Sequence, residues 1–302
     1  MRRALQAGIG CALVTLTSAE GGTPRPPGSQ MLVSALEVSG FLSGGCVEGD
    51  VVLHARAVLA DGRPRRLIYG EGGPPDIRLL CGARIELLVE RVAANEEAMR
   101  ALGAAERART PVVWWTDGER RALGAADEPG RGWLGALGRR YEPQPRLVVV
   151  GGDPTALAIA SLAVTLGYET HLVRPLGPQA PPPIPRAAYH RGPPERALDA
   201  VPLDPWTHVA VATHDLETDE AALAAALASD AAYVGVLGAR RRIPERLARL
   251  RARGVPSEAL ARLHAPIGLA LGGKTPWELA VSVLAEITAA RHDAAPPLLV
   301  RG

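Results

Sequence analysis

Arg146-Leu147-Val148-Val149-Val150-Gly151-Gly152-Asp153-Pro154 is the stretch that decides the fold. Its unbroken aliphatic run, closed by two glycines, reads as a strand buried on both faces, the pattern of a parallel sheet. Strand and helix then alternate: helix 154–166, strands 170–173 and 209–212, helix 217–227, strand 233–237, helix 242–253. A last helix, 276–290, opens on Thr275-Pro276-Trp277-Glu278, a capping box with proline at its first position. This rhythm predicts an α/β fold with a Rossmann-like, doubly wound parallel-sheet domain over residues 146–302. The prolines between Pro175 and Pro194 mark a stiff, exposed excursion.

Upstream the pattern differs. Residues 1–92 read as a mixed α+β domain: a first helical turn, strands 11–17, 30–34 and 35–42, a helix to about residue 60, and strands 67–69 and 85–89. Residues 93–145 read as a connection: a helix over 94–108, a short strand 112–116 and a turn-rich linker.

Composition narrows the function classes. A net charge of +2 lacks the basic footprint of a nucleic-acid binder. No stretch approaches the ~20 apolar residues of a membrane span. The cysteines, Cys11, Cys46 and Cys81, are odd in number and sparse, which argues against a disulfide framework and for a reducing, cytoplasmic compartment.

Several motifs carry chemistry. Ser43-Gly44-Gly45-Cys46-Val47-Glu48 joins a strand to a helix; glycines there let backbone N–H groups meet an anion, and the helix start favours a thiolate at Cys46. Cys81 sits in a loop able to approach it, although both cysteines also fit the role of small buried hydrophobes. Pro24-Arg25-Pro26-Pro27-Gly28 holds Arg25 stiffly, as suits a phosphate clamp or an ordinary surface turn. Gly151-Gly152-Asp153 stands where a dinucleotide fold places its G-x-G turn, but Asp153 replaces the second glycine, and Arg174 follows the next strand where an acid should bind ribose. Both departures weaken a case for bound NAD; Arg174 suits a 2′-phosphate instead, but Asp153 still stands against NAD(P) and against an NAD(P)-dependent oxidoreductase as the alternative function. Thr213-His214-Asp215, with Asp219 beyond, would point polar groups at the sheet's carboxyl edge, unless Asp215 only caps the next helix. Gly268–Thr275 matches the phosphate-loop pattern G-x-x-x-x-G-K-[ST], yet no proper strand precedes it and Pro276 leaves Lys274 outside the helix, so the match reads as chance.

Together these segments resemble the xanthine dehydrogenase accessory factor family (XdhC/CoxI). The resemblance rests on Gly22–Met31 (family G-S-S-P-R-x-P-G-A-x-M), Ser43–Glu48 (S-G-G-C-V-E) and Cys81-Gly82-Ala83 (C-G-G). It continues in Thr213–Asp215 (T-H-D), Gly235–Arg241, His264–Leu269 (H-A-P-I-G-L) and Thr275–Glu286. It departs at Asp153, Arg174 and Ala83. The resemblance implies an accessory factor or chaperone, not a catalyst, that binds molybdenum cofactor (molybdopterin), protects it during sulfuration and delivers it to a molybdenum hydroxylase of the xanthine dehydrogenase type. It implies a cysteine desulfurase as a second partner and a homodimer. The cofactor-binding residues it implies are Arg25, Gly28, Gly44, Gly45, Cys46, Glu48, Cys81 and Gly82 in the first domain, with Cys46 as the metal ligand. Thr213, His214, Asp215, Asp219, Gly238 and Arg240 are expected to complete the site from the second.

Overall fold

The computed structural model describes residues 9–23, 25–77, 79, 81–125, 133, 135–293 and 299–301. The helical turn read before Cys11, and the motif residue Pro24, lie outside these. The chain forms two compact units, Met1–Pro143 with Pro296–Gly302, and Gln144–Ala295.

The first unit is built on an antiparallel sheet. Its strands are β1 (Cys11–Glu20), β2 (Gln30–Val33), β3 (Val38–Ser39), β4 (Arg65–Tyr69) and β5 (Arg84–Val92), in the order β3-β2-β1-β5-β4. The near-continuous apolar run of β1 follows from burial on both faces. Ala12, Val14 and Leu16 pack with Val51, Ala55 and Val58 of helix α1 (Glu48–Asp61), whereas Cys11 and Leu13 pack with Met99 and Leu102 of α2 (Glu97–Ala108) and with Trp114. The strand expected over residues 35–42 shrinks to Val38–Ser39. Ser34 Oγ accepts the amides of Leu36 and Glu37, folding the chain into a turn first, and the pairing ends at Gly40 (φ 92°), where a Cβ would fall 2.5 Å from the Gln30 carbonyl oxygen.

Segment 93–145, read as a connection, carries α2 and three strands, β6 (Val112–Thr116), β7 (Arg121–Ala125) and β8 (Leu137–Tyr141). With β15 (Leu299–Arg301) these make a second antiparallel sheet, β15-β8-β6-β7. Arg-Ala-Leu-Gly-Ala and Leu-Gly-Arg-Arg-Tyr are too short and glycine-broken to announce themselves. β7 is the return strand of a hairpin with β6, β8 pairs with β6 from further along the chain, and Arg121 ties β7 to buried Glu90 of β5 at 2.7 Å.

The second unit is the parallel sheet that Arg146–Pro154 announces. Its strands are β9 (Arg146–Val150), β10 (Glu169–Arg174), β11 (Ala188–Arg191), β12 (Thr207–Val211), β13 (Tyr233–Val236) and β14 (Leu263–His264), in the order β11-β10-β9-β12-β13-β14. This is the Rossmann order, whose direction reverses between β9 and β12. Leu147 and Val149 face α3 (Pro154–Thr165) and α8 (Pro276–Asp293), while Val148 and Val150 face α5 (Leu216–Leu227). The excursion after β10 contributes β11 and the short α4 (Pro194–Asp199); α6 (Ile243–Ala252) and α7 (Ser257–Leu260) lead to β14.

Candidate functional site

Three loops of the first unit leave the same end of its sheet. Glu20 pairs with Arg84, and Tyr69 with Ile85, so the loop 21–29 after β1 and the loop 70–83 before β5 start side by side. Leu32 pairs with Ser39, which brings the loop 40–47 to the same end. A Cβ on Gly21 would lie 3.3 Å from the Ala83 α-carbon, and the Arg25 guanidinium stacks over the Phe41 ring at 4.8 Å. This end therefore gathers Arg25, Gly44, Gly45, Cys46, Cys81 and Gly82.

The loop before α1 is organised by its own acid. Glu48 Oε1 accepts the amides of Leu42 (2.8 Å) and Ser43 (2.7 Å); Oε2 accepts the Ser43 hydroxyl (2.7 Å) and the amides of Gly45 (2.8 Å) and Val47 (3.3 Å). Burial opposes the charge, but the Ser43 and Leu42 hydrogen bonds outweigh it and hold the carboxyl down at about 2. Four of the amides at this turn, those of Leu42, Ser43, Gly45 and Val47, are thus committed to Glu48. Gly44 (φ 85°) and Gly45 (φ 116°) adopt backbone conformations that glycine alone takes easily, which swings Cys46 outward. Cys46 and Cys81 are both exposed; Cys11 is buried, and burial pushes its thiol up to about 11. The alternative that Cys46 and Cys81 are core hydrophobes does not describe them. Gly28 is a structural turn residue: its amide donates to the Leu16 carbonyl and its own carbonyl accepts Arg139 Nε at 2.7 Å. Arg25 Nε is buried and finds no acceptor. Phe41, the chain's single phenylalanine, is half exposed at 49% beside Gly40 and belongs to no sequence motif; its solitude is the one signal that could have found it.

In the second unit, a cleft of about 210 Å³ opens at the reversal point between β9 and β12, lined among others by Gly151, Gly152, Asp153, Arg174, Thr213 and His214. Asp153 is the N-cap of α3, accepting the Ala156 amide at 2.8 Å, and its other oxygen meets His214 Nε2 at 3.2 Å. Asp215 caps α5, and the Thr218 hydroxyl and amide hold its carboxyl below the usual range. Thr213 Oγ1 donates to Asp219 Oδ1 (2.6 Å), whose Oδ2 accepts Arg246 Nη2 (2.6 Å) inside the protein; burial pushes the Asp219 carboxyl up. Gly238 leaves room for Arg246, since a Cβ there would fall 3.0 Å from Nη1. Arg240 stands exposed beyond β13. Of the second-unit residues read from sequence that line the cleft, His214 is 86% exposed, its Nε2 resting on Asp153.

The phosphate-loop match is disposed of by geometry. Glu278 Oε2 accepts the amides of Lys274 and Thr275, each at 2.9 Å, and β14 before the loop has two residues. The H-A-P-I-G-L segment is held the same way: Glu286 accepts the Tyr233 hydroxyl and the Gly268 amide, and pairs with His264 at 3.2 Å. Among the described residues no group of three or more His, Cys, Asp or Glu is placed to hold a metal, and no helix is long and apolar enough to cross a membrane.

Comparison with known proteins agrees with this architecture. The family profile described as "XdhC and CoxI family" matches residues 4–70, and that described as "XdhC Rossmann domain" matches residues 147–287. The molybdenum cofactor insertion chaperone PaoD of Escherichia coli (strain K12) is 33% identical over 292 residues, covering 95% of this chain and 86% of that protein. A probable xanthine dehydrogenase subunit of Bacillus subtilis (strain 168) is 28% identical over 323 residues, covering 94% of each. A crystal structure described as a xanthine dehydrogenase from Bacillus halodurans shares the fold, with TM-score 0.77 at 21% identity over 97% of this chain and 96% of that one.

Proposed function

Because the chain belongs to the XdhC and CoxI family, we propose that it acts in molybdenum-cofactor maturation, binding molybdopterin, protecting it during sulfuration and delivering it to a hydroxylase of the xanthine dehydrogenase type. A cysteine desulfurase supplies the sulfur in this reading, and the working form is a homodimer in the cytoplasm. The observation that carries the reading is the loop end of the first unit. There two exposed thiols, a stiffly held arginine and a half-exposed aromatic ring are gathered by one sheet.

That set fits the cargo chemically. Molybdopterin offers a phosphate, a flat hydrogen-bonding pterin and a soft metal–dithiolene centre. Thiolates of Cys46 and Cys81 suit the soft metal, with Cys46 as its ligand. Arg25, whose Nε lacks an acceptor, suits the phosphate or the pterin carbonyl, and Phe41 gives the ring a face. Glu48 acts at one remove, fixing the loop that presents Cys46. Thr213, His214, Asp215, Asp219, Gly238 and Arg240 are assigned to ligand binding by the second unit, with the exposed His214 the side chain best placed to reach a ligand.

Co-expression with cofactor biosynthesis, then metal analysis and pterin fluorescence of the purified protein, tests the proposal. The wild type should retain molybdenum and pterin together. Cys46→Ala should lose at least ten-fold of the molybdenum while remaining folded; equal retention by both proteins overturns the role of Cys46.

A further inference from the structure

We infer that the cleft of the second unit is a nucleotide subsite that selects a phosphate on the 2′-oxygen of a ribose, with Arg174 as the selecting residue. The argument begins with position. Arg174 ends β10, the second strand of a Rossmann-ordered sheet, and lines the cleft at the reversal point. At this place such folds hold the ribose hydroxyls, with an acid when the 2′-oxygen is free and an arginine when it carries phosphate.

Preorganisation is the second part. Gly152 seats the guanidinium: a Cβ there would fall 2.8 Å from Arg174 Nε, and Arg174 Nη2 donates to the Gly152 carbonyl at 3.1 Å. The turn after Arg174 is pinned from both sides. The Gly177 amide donates to the Arg174 carbonyl (3.0 Å), Arg191 Nε donates to the Gly177 carbonyl (3.0 Å), and the Tyr189 hydroxyl donates to the Pro178 carbonyl (2.7 Å). Among the described residues no carboxylate pairs with Arg174, and its Nε has no acceptor. A held arginine without a counter-ion, half exposed in a cleft, is ready for a dianion at small entropic cost. Leu176, 99% exposed on the same turn, offers an apolar surface to a base.

Asp153 limits what else binds. In a dinucleotide site the pyrophosphate lies on the amides at the start of the first helix. Here the Asp153 carboxylate occupies the Ala156 amide, and Pro154 has no amide proton to offer. The subsite therefore takes a mononucleotide 2′-phosphate and disfavours a pyrophosphate-linked dinucleotide.

Calorimetric titration of the purified full-length chain, free of pterin, tests this apart from the cofactor proposal, because cofactor loss through Cys46 leaves the result unchanged. The probes are 2′-AMP, 5′-AMP, inorganic phosphate and NADPH. The expected result is 2′-AMP binding at least ten-fold tighter than 5′-AMP or phosphate, with the preference removed in Arg174→Gln. NADPH should bind more weakly than 2′-AMP, and gain in Asp153→Gly, a substitution that an N-cap tolerates well. Equal affinity for 2′-AMP and 5′-AMP, phosphate binding as tight as 2′-AMP, or a preference that survives Arg174→Gln overturns the inference. So does NADPH binding tighter than 2′-AMP in the unmodified chain.

Discussion

Gly44-Gly45 precedes α1 in the first unit, and Gly151-Gly152 precedes α3 in the second; both are glycine turns leading from sheet to helix. In each, the helix start is met by a carboxylate of the chain itself, Glu48 in one and Asp153 in the other. The outcomes differ. Glu48 gathers four amides and a hydroxyl, so those donors are taken from any anion and the exposed Cys46 stands in a loop fixed from within. Asp153 takes one amide and leaves its second oxygen to His214, so its turn remains one wall of a cleft. Glu278 repeats the first solution before α8. Glycines at a helix start make an anion site only when no nearby acid fills it first.

The sharpest way to break this comparison is Arg246→Met, which leaves Asp219 as a buried charge without its partner and releases Thr213 from the cleft wall. A loss of about 3–5 kcal/mol is expected in denaturant unfolding of the second unit; a loss below about 1 kcal/mol would mean the pair does not organise that wall.

Glu48→Gln comes next, at about 1–2 kcal/mol once solvent screening of a partly exposed carboxylate is allowed for. The sign with pH is fixed, because the Glu48 carboxyl falls on folding from 4.5 to about 2. Its stabilisation is present above pH 4.5 and lost as pH falls toward 2. The difference between wild type and Glu48→Gln in urea midpoints should therefore shrink across that interval, and a constant difference would place Glu48 outside the loop's hydrogen bonds.

Asp153→Ala should cost about 1 kcal/mol, the ordinary cost of losing an N-cap. The ratio of the two losses measures how much more of its loop Glu48 organises. Smallest of all is Cys46→Ser, expected within about 0.5 kcal/mol because the side chain is exposed. A larger loss in thermal melts would make Cys46 part of the packing, contrary to its placement at the tip.

How much is legible in advance differs between fold and site. Val148 and Val150 alternate with Leu147 and Val149 across a sheet covered on both faces, so one short apolar run foretells the parallel architecture. The capping box at Thr275–Glu278 is equally legible, since its partners are three residues apart. β7 and β8 are not, because what makes them strands is pairing with β6 and the bond from Arg121 to Glu90 across the unit. In the site, the residue types are legible and their assignments are not. Glu48 reads as a ligand in the sequence and is bound within its own loop; Phe41 carries no motif and lies under Arg25.

The sequence by itself determined the two architectures and the family, because periodicity, turn residues and short motifs act over neighbours that the chain fixes covalently; it missed β11, which the proline-rich stretch after β10 adds to the sheet. Only the tertiary structure decided which amides Glu48, Asp153 and Glu278 consume, that Cys46 and Cys81 stand exposed at one sheet end, and that Arg174 rests on Gly152 without a counter-ion. The physical reason is that a polar group's role depends on whether its bonds are already satisfied, and the partners that satisfy it come from anywhere in the chain.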